Sequence, residues 1–212
     1  MKRLAILLLL CALSVAAVTN NYHPVDTDDD GICNSTDPIY PGTVDWCRTD
    51  LTSIPIRKAF DISSSGVYNV TNGLMRFDTS DIPNLSTVTA ASLYLYVNSK
   101  VDTDNRILFG EWYSTSNWPI TSDDWITLGL SDAFSQDITG IATGGYVAFS
   151  LTTPTNVSKT GFTGFRLTIS GIAPLATNTV DIDQFNGSNP PYIEVTYTPA
   201  SGPTINVTET DD

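Results

Sequence analysis

Ala91-Ser92-Leu93-Tyr94-Leu95-Tyr96-Val97-Asn98 places an aliphatic residue at every second position. A chain with that period is a strand, because successive side chains point to opposite faces. Leu93, Leu95 and Val97 therefore share the buried face, and Tyr94 and Tyr96 take the other. A helix would need its aliphatic residues three and four apart. The alternation returns in Phe165, Leu167 and Ile169, in Val180 and Ile182, and in Ile193, Val195 and Tyr197. Between turn-forming residues, runs rich in Val, Ile, Thr, Tyr and Phe predict strands at 54–60, 66–71, 74–78, 91–98, 106–113, 146–151, 162–170, 179–185 and 192–198. No stretch carries an apolar stripe at helical spacing for three turns. The expected fold class is all-β: a single antiparallel β-sandwich, jelly-roll-like, over residues 54–198, long enough to bury one sizeable core.

The ends of the chain read differently. Lys2 and Arg3 precede an uncharged apolar run from Leu4 to Val18, with small residues at Ala16 and Ala17. That is the pattern of a signal peptide over residues 1–17, too short to span a bilayer. Cys11 leaves with it. A lipoprotein reading of Leu8-Leu9-Leu10-Cys11 is weak, because the residue before the Cys should be small and the apolar run continues past it. No second hydrophobic segment occurs, so the expected product is secreted, extracellular or at the cell surface, with no membrane span. At the other end, Pro199-Ala-Ser-Gly-Pro203 reads as a linker to the strand-like Thr204-Ile-Asn-Val-Thr208, so residues 199–212 form a linker and an acidic tail.

Between signal and sandwich lies an irregular segment, residues 18–53. Asp26, Asp28 and Asp30 place carboxylates at alternate positions before Gly31, and Asp37 stands twelfth in the run that begins at Asp26. Ca2+ takes six to eight oxygens from such a loop, so the ligands expected are Asp26, Asp28, Asp30, the Ile32 carbonyl, Asn34 through water, and Asp37. An EF-hand would close with Glu and sit between helices, and neither holds here. The stretch instead resembles the Asp-rich calcium repeats of thrombospondin type 3, in which an aliphatic residue follows the Gly. A solvated acidic linker is the alternative. Cys33 and Cys47 are the two thiols left after export, and in an oxidising compartment they pair. Closing a loop of about fifteen residues stabilises by roughly 3 kcal/mol in the chain-entropy model. Zinc would need further thiolates or imidazoles, and His23 is the single histidine.

Loss of Lys2 and Arg3 takes the formal charge from −13 to about −15, and nearly all the acid is Asp. That field repels phosphate and no basic cluster offsets it, which excludes nucleic acid as a partner. Cations, neutral sugars and basic surfaces stay open. Sequons stand at Asn34, Asn69, Asn84, Asn156, Asn186 and Asn206, so a glycoprotein is expected wherever the host glycosylates asparagine.

Leu74-Met75-Arg76-Phe77-Asp78, the turn through Pro83, and Thr89-Ala-Ala-Ser-Leu93-Tyr-Leu95-Tyr-Val97 are similar to the opening of the DNRLRE domain. Trp118-Pro119, Asp137-Ile138-Thr139, Gly164-Phe165-Arg166-Leu167 and Pro190-Pro191-Tyr192-Ile193-Glu194-Val195-Thr196-Tyr197 follow in that family's order. Asp183-Gln-Phe-Asn186 stands where the family has Ser-Arg-Glu. The resemblance implies a β-sandwich of bacterial or archaeal surface proteins, related to carbohydrate-binding modules.

For catalysis, His23 falls outside the sandwich and offers no base to a nucleophile. Paired carboxylates would be needed to cleave glycans, and Glu111, Glu194, Asp123, Asp124, Asp181 and Asp183 are the thin inventory. No enzyme is expected. Trp112, Tyr113, Trp118 and Trp125 crowd one strand and its following loop, where rings could stack on sugar C–H groups or plug the sandwich. The function expected is a secreted, calcium-stabilised, non-catalytic module of the cell surface or extracellular matrix that binds glycan or mediates adhesion. The alternative is a self-assembling filament or sheath subunit built by β-strand addition through residues 204–208, and a polysaccharide-degrading enzyme ranks behind both.

Overall fold

The computed structural model describes residues 15–26, 29–49, 53–61, 66–113, 118–125, 130–184 and 187–200. The signal peptide and the tail at 201–212 thus lie outside the described residues, apart from residues 15–17. The strands are β1 Val18–Tyr22, β2 Asp30–Asp37, β3 Trp46–Arg48, β4 Ile54–Asp61, β5 Val67–Asp78, β6 Thr87–Asp102, β7 Ile107–Tyr113, β8 Asp132–Asp137, β9 Gly145–Ser150, β10 Phe162–Ile169, β11 Asn178–Ile182 and β12 Tyr192–Thr198. Three single 3-10 turns interrupt them, and no α-helix occurs among the described residues. The protein is all-β.

All pairings are antiparallel and join the strands into one curled sheet. Two long strands produce the curl. Along one edge of β6, β12 occupies residues 87–94 and β11 residues 97–102, while β9 takes the opposite edge. Likewise β4 and then β10 follow one another along one edge of β5, and β2 fills the other. Each long strand therefore hands its edge from one partner to the next, and the sheet rolls around its apolar face.

Leu93, Leu95 and Val97 are fully buried beside Phe77, Phe165, Leu167, Ile182 and Val195, as the period-two pattern requires. Gly110 sits in the core strand because a Cβ there would overlap the ring of Phe134. The runs expected at 66–71 and 74–78 are one strand. Asn72-Gly73 makes no turn, and Gly73 is there because Ile54 and Ile56 lie against its backbone. The Asp-flanked Asp132–Asp137 was not expected as a strand, since only Ala133 and Phe134 among its residues enter the core.

The segment 18–53, expected as an irregular appendage, contributes three strands to the same sheet. β1 pairs with β12 from Val18↔Tyr197 to Tyr22↔Ile193, and β2 pairs with β5 from Asp30↔Met75 to Asp37↔Tyr68. The physical reason lies in the partners: β12 and β5 would otherwise present open edges, with unpaired N–H and C=O groups. β2 and β3 carry the disulfide, with Cys33 and Cys47 directly opposite in register and 4.1 Å apart at Cα. A second, smaller core of Cys33, Leu74 and Ile120 forms on the face of β5 opposite Met75, covered by Cys47, Tyr113, Trp118 and Trp125.

Candidate functional site

The two ends of the expected calcium loop are not brought together. Asp30 and Asp37 occupy opposite ends of an eight-residue strand, about 23 Å apart at 3.3 Å per residue. They cannot close on one ion. Gly31 does not bend the chain either. It is a strand residue whose missing Cβ makes room for the Arg48 carbonyl and Ile120. The Asp37 carboxylate accepts the N–H groups of Ile39 (2.8 Å) and Thr43 (3.4 Å). The Asn34 side-chain nitrogen donates to Asn69 Oδ1 (3.1 Å) and Thr71 Oγ1 (2.9 Å), and Ile32 lies in the ladder opposite Gly73 and Arg48. Asp28 lies outside the described residues. The neighbouring Asp29, not singled out by the spacing, is buried and accepts from Val25 N, Asp26 N and Arg76 Nε at 2.8, 3.0 and 2.6 Å.

Of the sequons, Asn34 and Asn69 bond to each other, whereas Asn84 and Asn156 are exposed in turns. Asn186 and Asn206 lie outside the described residues.

The aromatic quartet divides. Trp112 packs on Phe165 at 5.1 Å between ring centroids and belongs to the wall of the main core. Trp118 roofs the second core and takes the Arg76 guanidinium 4.8 Å from its ring. The Tyr113 hydroxyl donates to Asp124 Oδ1, and burial first, then that hydrogen bond, hold its pKa well above the usual phenol value. These three rings are spent on packing. Another aromatic group, unexpected from sequence, lines the outer face of β6, β9 and β12. Tyr94 and Tyr192, cross-strand partners, stack at 4.5 Å and 6°, with Tyr146 edge-on to Tyr192 at 5.4 Å. The two stacked rings turn a face to each other, and His23 lies 5.3 Å from Tyr192, which makes this a packed ladder more than a platform.

Trp125 has a different setting. It lines a pocket of about 200 Å³ with Tyr40, Lys58, Asn72, Glu111 and Arg166. Part of the lining is a buried ion pair: Arg166 Nε and Nη2 approach Glu111 Oε2 at 2.6 and 2.5 Å. The peptide N–H of Leu130 donates to Glu111 Oε1 at 3.2 Å. The Gly171 carbonyl, also in the lining, accepts from both Lys58 Nζ and the Tyr40 hydroxyl at 3.0 Å. Gly171 takes φ +88°, a left-handed conformation that glycine adopts without steric cost. Arg106 fixes the same loop by donating to the carbonyls of Ser170 (2.9 Å) and Ile172 (3.0 Å). Lys58 is 7% exposed, with Tyr40 5.3 Å from its Nζ. Burial, then the nearby charges of Arg106 and Arg166, push its pKa down to about 8 against the smaller opposing pull of the Glu111 carboxylate.

Two atoms of the pocket residues are buried without a hydrogen-bond partner: the Nε1–H of Trp125 and the Oδ1 of Asn72. Sequence reasoning reached Trp125 and Glu111 but not Tyr40, Lys58, Asn72 or Arg166. These come from β2's following loop, β4, β5 and β10, and only the closed sheet makes them neighbours. No protein-family model matches the chain, and no curated protein matches it.

Proposed function

We propose that the chain is an exported, non-catalytic surface module that binds glycan in the pocket beneath Trp125. The observation carrying this is the pair of unpartnered buried atoms, one donor and one acceptor, on the residues of one aromatic-lined concavity. A buried polar group without a partner costs about 1–3 kcal/mol, and a hydroxyl-bearing ligand supplies an acceptor for Trp125 and a donor for Asn72. The pocket has the volume of about one sugar ring. Hydrolysis finds less support, because Glu111 is the one carboxylate among the described lining residues and it is held by Arg166.

A glycan array followed by calorimetry on the mature chain tests the reading. Trp125→Ala should weaken the best ligand by about 1–3 kcal/mol, by analogy with other ring platforms that stack on planar ligands, whereas Tyr192→Ala on the opposite ladder should leave it unchanged. An array without a hit, or Trp125→Ala binding like wild type, removes the pocket reading. The competing subunit reading draws on β1, whose outer edge has no partner among the described residues. It would show as higher-order species in size-exclusion chromatography that vanish when residues 199–212 are deleted.

Calcium enters the proposal at Asp26, Asp28 and Asp30 alone. The expected result is a melting temperature raised by millimolar calcium and a smaller rise in Asp28→Ala. A melting temperature that ignores calcium removes it.

A further inference from the structure

We infer that the pocket takes a hydroxylated ligand bearing one negatively charged oxygen group, a carboxylate or a sulfate ester, seated against Lys58. This rests on the reading of the pocket as a glycan site and adds the charge class of its ligand. Arg76, Arg106 and Arg166 each hold a carboxylate, Asp29, Asp104 and Glu111 respectively. Lys58 is buried more deeply than Arg76 or Arg106, though less than Arg166, yet it makes no ion pair among the described residues. Its ammonium donates to one neutral carbonyl, that of Gly171.

An ammonium withdrawn from water without a counter-charge is costly, and the usual remedy is a carboxylate beside it. Glu111 does not fill that role, since Arg166 Nε and Nη2 both approach its Oε2 and the Leu130 N–H occupies Oε1. The pocket lining therefore carries one ammonium without an ion-pair partner among the described residues, beside a Glu111–Arg166 pair that neutralises itself. A ligand with a single anionic oxygen group restores balance there. Asn72 and Trp125, whose Oδ1 and Nε1–H lack partners, line the same concavity as Lys58 and Tyr40 and are the groups its hydroxyls would satisfy. A dianion would exceed the one free charge. The negative field of the whole chain does not forbid this, because it is screened beyond about 8 Å at physiological salt while the Lys58 contact is direct.

Calorimetry at pH 6.5 with the full mature chain tests the inference, using methyl β-glucoside, methyl β-glucuronide and glucose 6-sulfate as probes. At least one acidic probe should bind tenfold or more tightly than the neutral one, with affinity falling as salt rises. Which acidic probe binds identifies the anionic group. Lys58→Met should abolish the preference, and Lys58→Arg should retain most of it, which separates loss of charge from loss of fold. Equal affinities for all three probes, unaffected by Lys58→Met but weakened by Trp125→Ala, would overturn the charge class and keep the pocket as a glycan site. Binding of no probe and of no array glycan would overturn both. A preference for acidic probes that survives Lys58→Met would place the anion elsewhere and overturn the role of Lys58.

Discussion

Arg166→Met should destabilise the fold by about 3–5 kcal/mol, because it leaves the Glu111 carboxylate buried and uncompensated. Both side chains are nearly inaccessible, at 3% and 6%, and Glu111 faces Arg166 across the β7–β10 ladder in direct register. Glu111→Leu alone should cost a similar amount by stranding the guanidinium. The double variant Arg166→Met/Glu111→Leu should recover most of the loss, since well-packed apolar residues often replace a buried pair at little net cost. Urea unfolding of all four proteins measures this as a coupling energy. Additive single effects would mean that the two groups do not stabilise one another. The cycle also bears on the proposed site, because both residues line the pocket and the double variant should bind no ligand while remaining folded.

The second large effect runs in the opposite direction. Lys58 has its pKa pushed from 10.5 to about 8, chiefly by burial. At 1.36 kcal/mol per unit, a charged Lys58 costs the native state about 3 kcal/mol. Below pH 8 both folded and unfolded chains carry the proton and the cost is present in full. Between about pH 8 and 10.5 the unfolded chain binds more protons than the folded one, so stability rises with pH across that window. Lys58→Met should remove this slope and raise stability at pH 7 by about 2 kcal/mol, the remainder offsetting the lost bond to the Gly171 carbonyl. Thermal unfolding between pH 7 and 9.5 is the measurement, below the range where the raised phenol of Tyr22 acts in reverse. A wild type whose stability is flat over that range would mean that Lys58 is hydrated. A residue that destabilises its own fold is the kind retained for binding.

The fold was legible where burial follows a simple period. Along β6, β10 and β12 one face is apolar and the other is not, so the sequence states the strand and its orientation together. It was illegible where a strand is needed for its backbone more than its side chains. β1 and β2 complete sheet edges with Asn, Ser and Asp, and β8 has Asp at both ends. There the Asp spacing of residues 26–37 hid a strand, and Asp37, at its far end, caps a turn while the neighbouring Asp29 serves Arg76. The cysteine pair was readable because chemistry left it no other partner. The clustered rings at 112–125 were readable as a group but not by role, since packing depends on what faces them: Phe165 behind Trp112, Arg76 beside Trp118, and the pocket below Trp125. Lys58 carries no sequence signal that sets it apart. Its burial follows from the Tyr40 loop and the Gly171 turn, more than a hundred residues apart in sequence.

The placement of β1 beside β12 has a mechanical consequence. Val18 and Tyr197 are cross-strand neighbours, so the chain leaves the sheet in both directions from one corner. Force drawn between those exits loads the β1–β12 hydrogen bonds one after another, as a zipper opens, instead of shearing them together. Such a joint yields at low tension and pays out the segment before β2, while the main core behind β6 and β10 carries no load. Pulled between Val18 and Thr198, the protein should therefore open first by peeling this one strand.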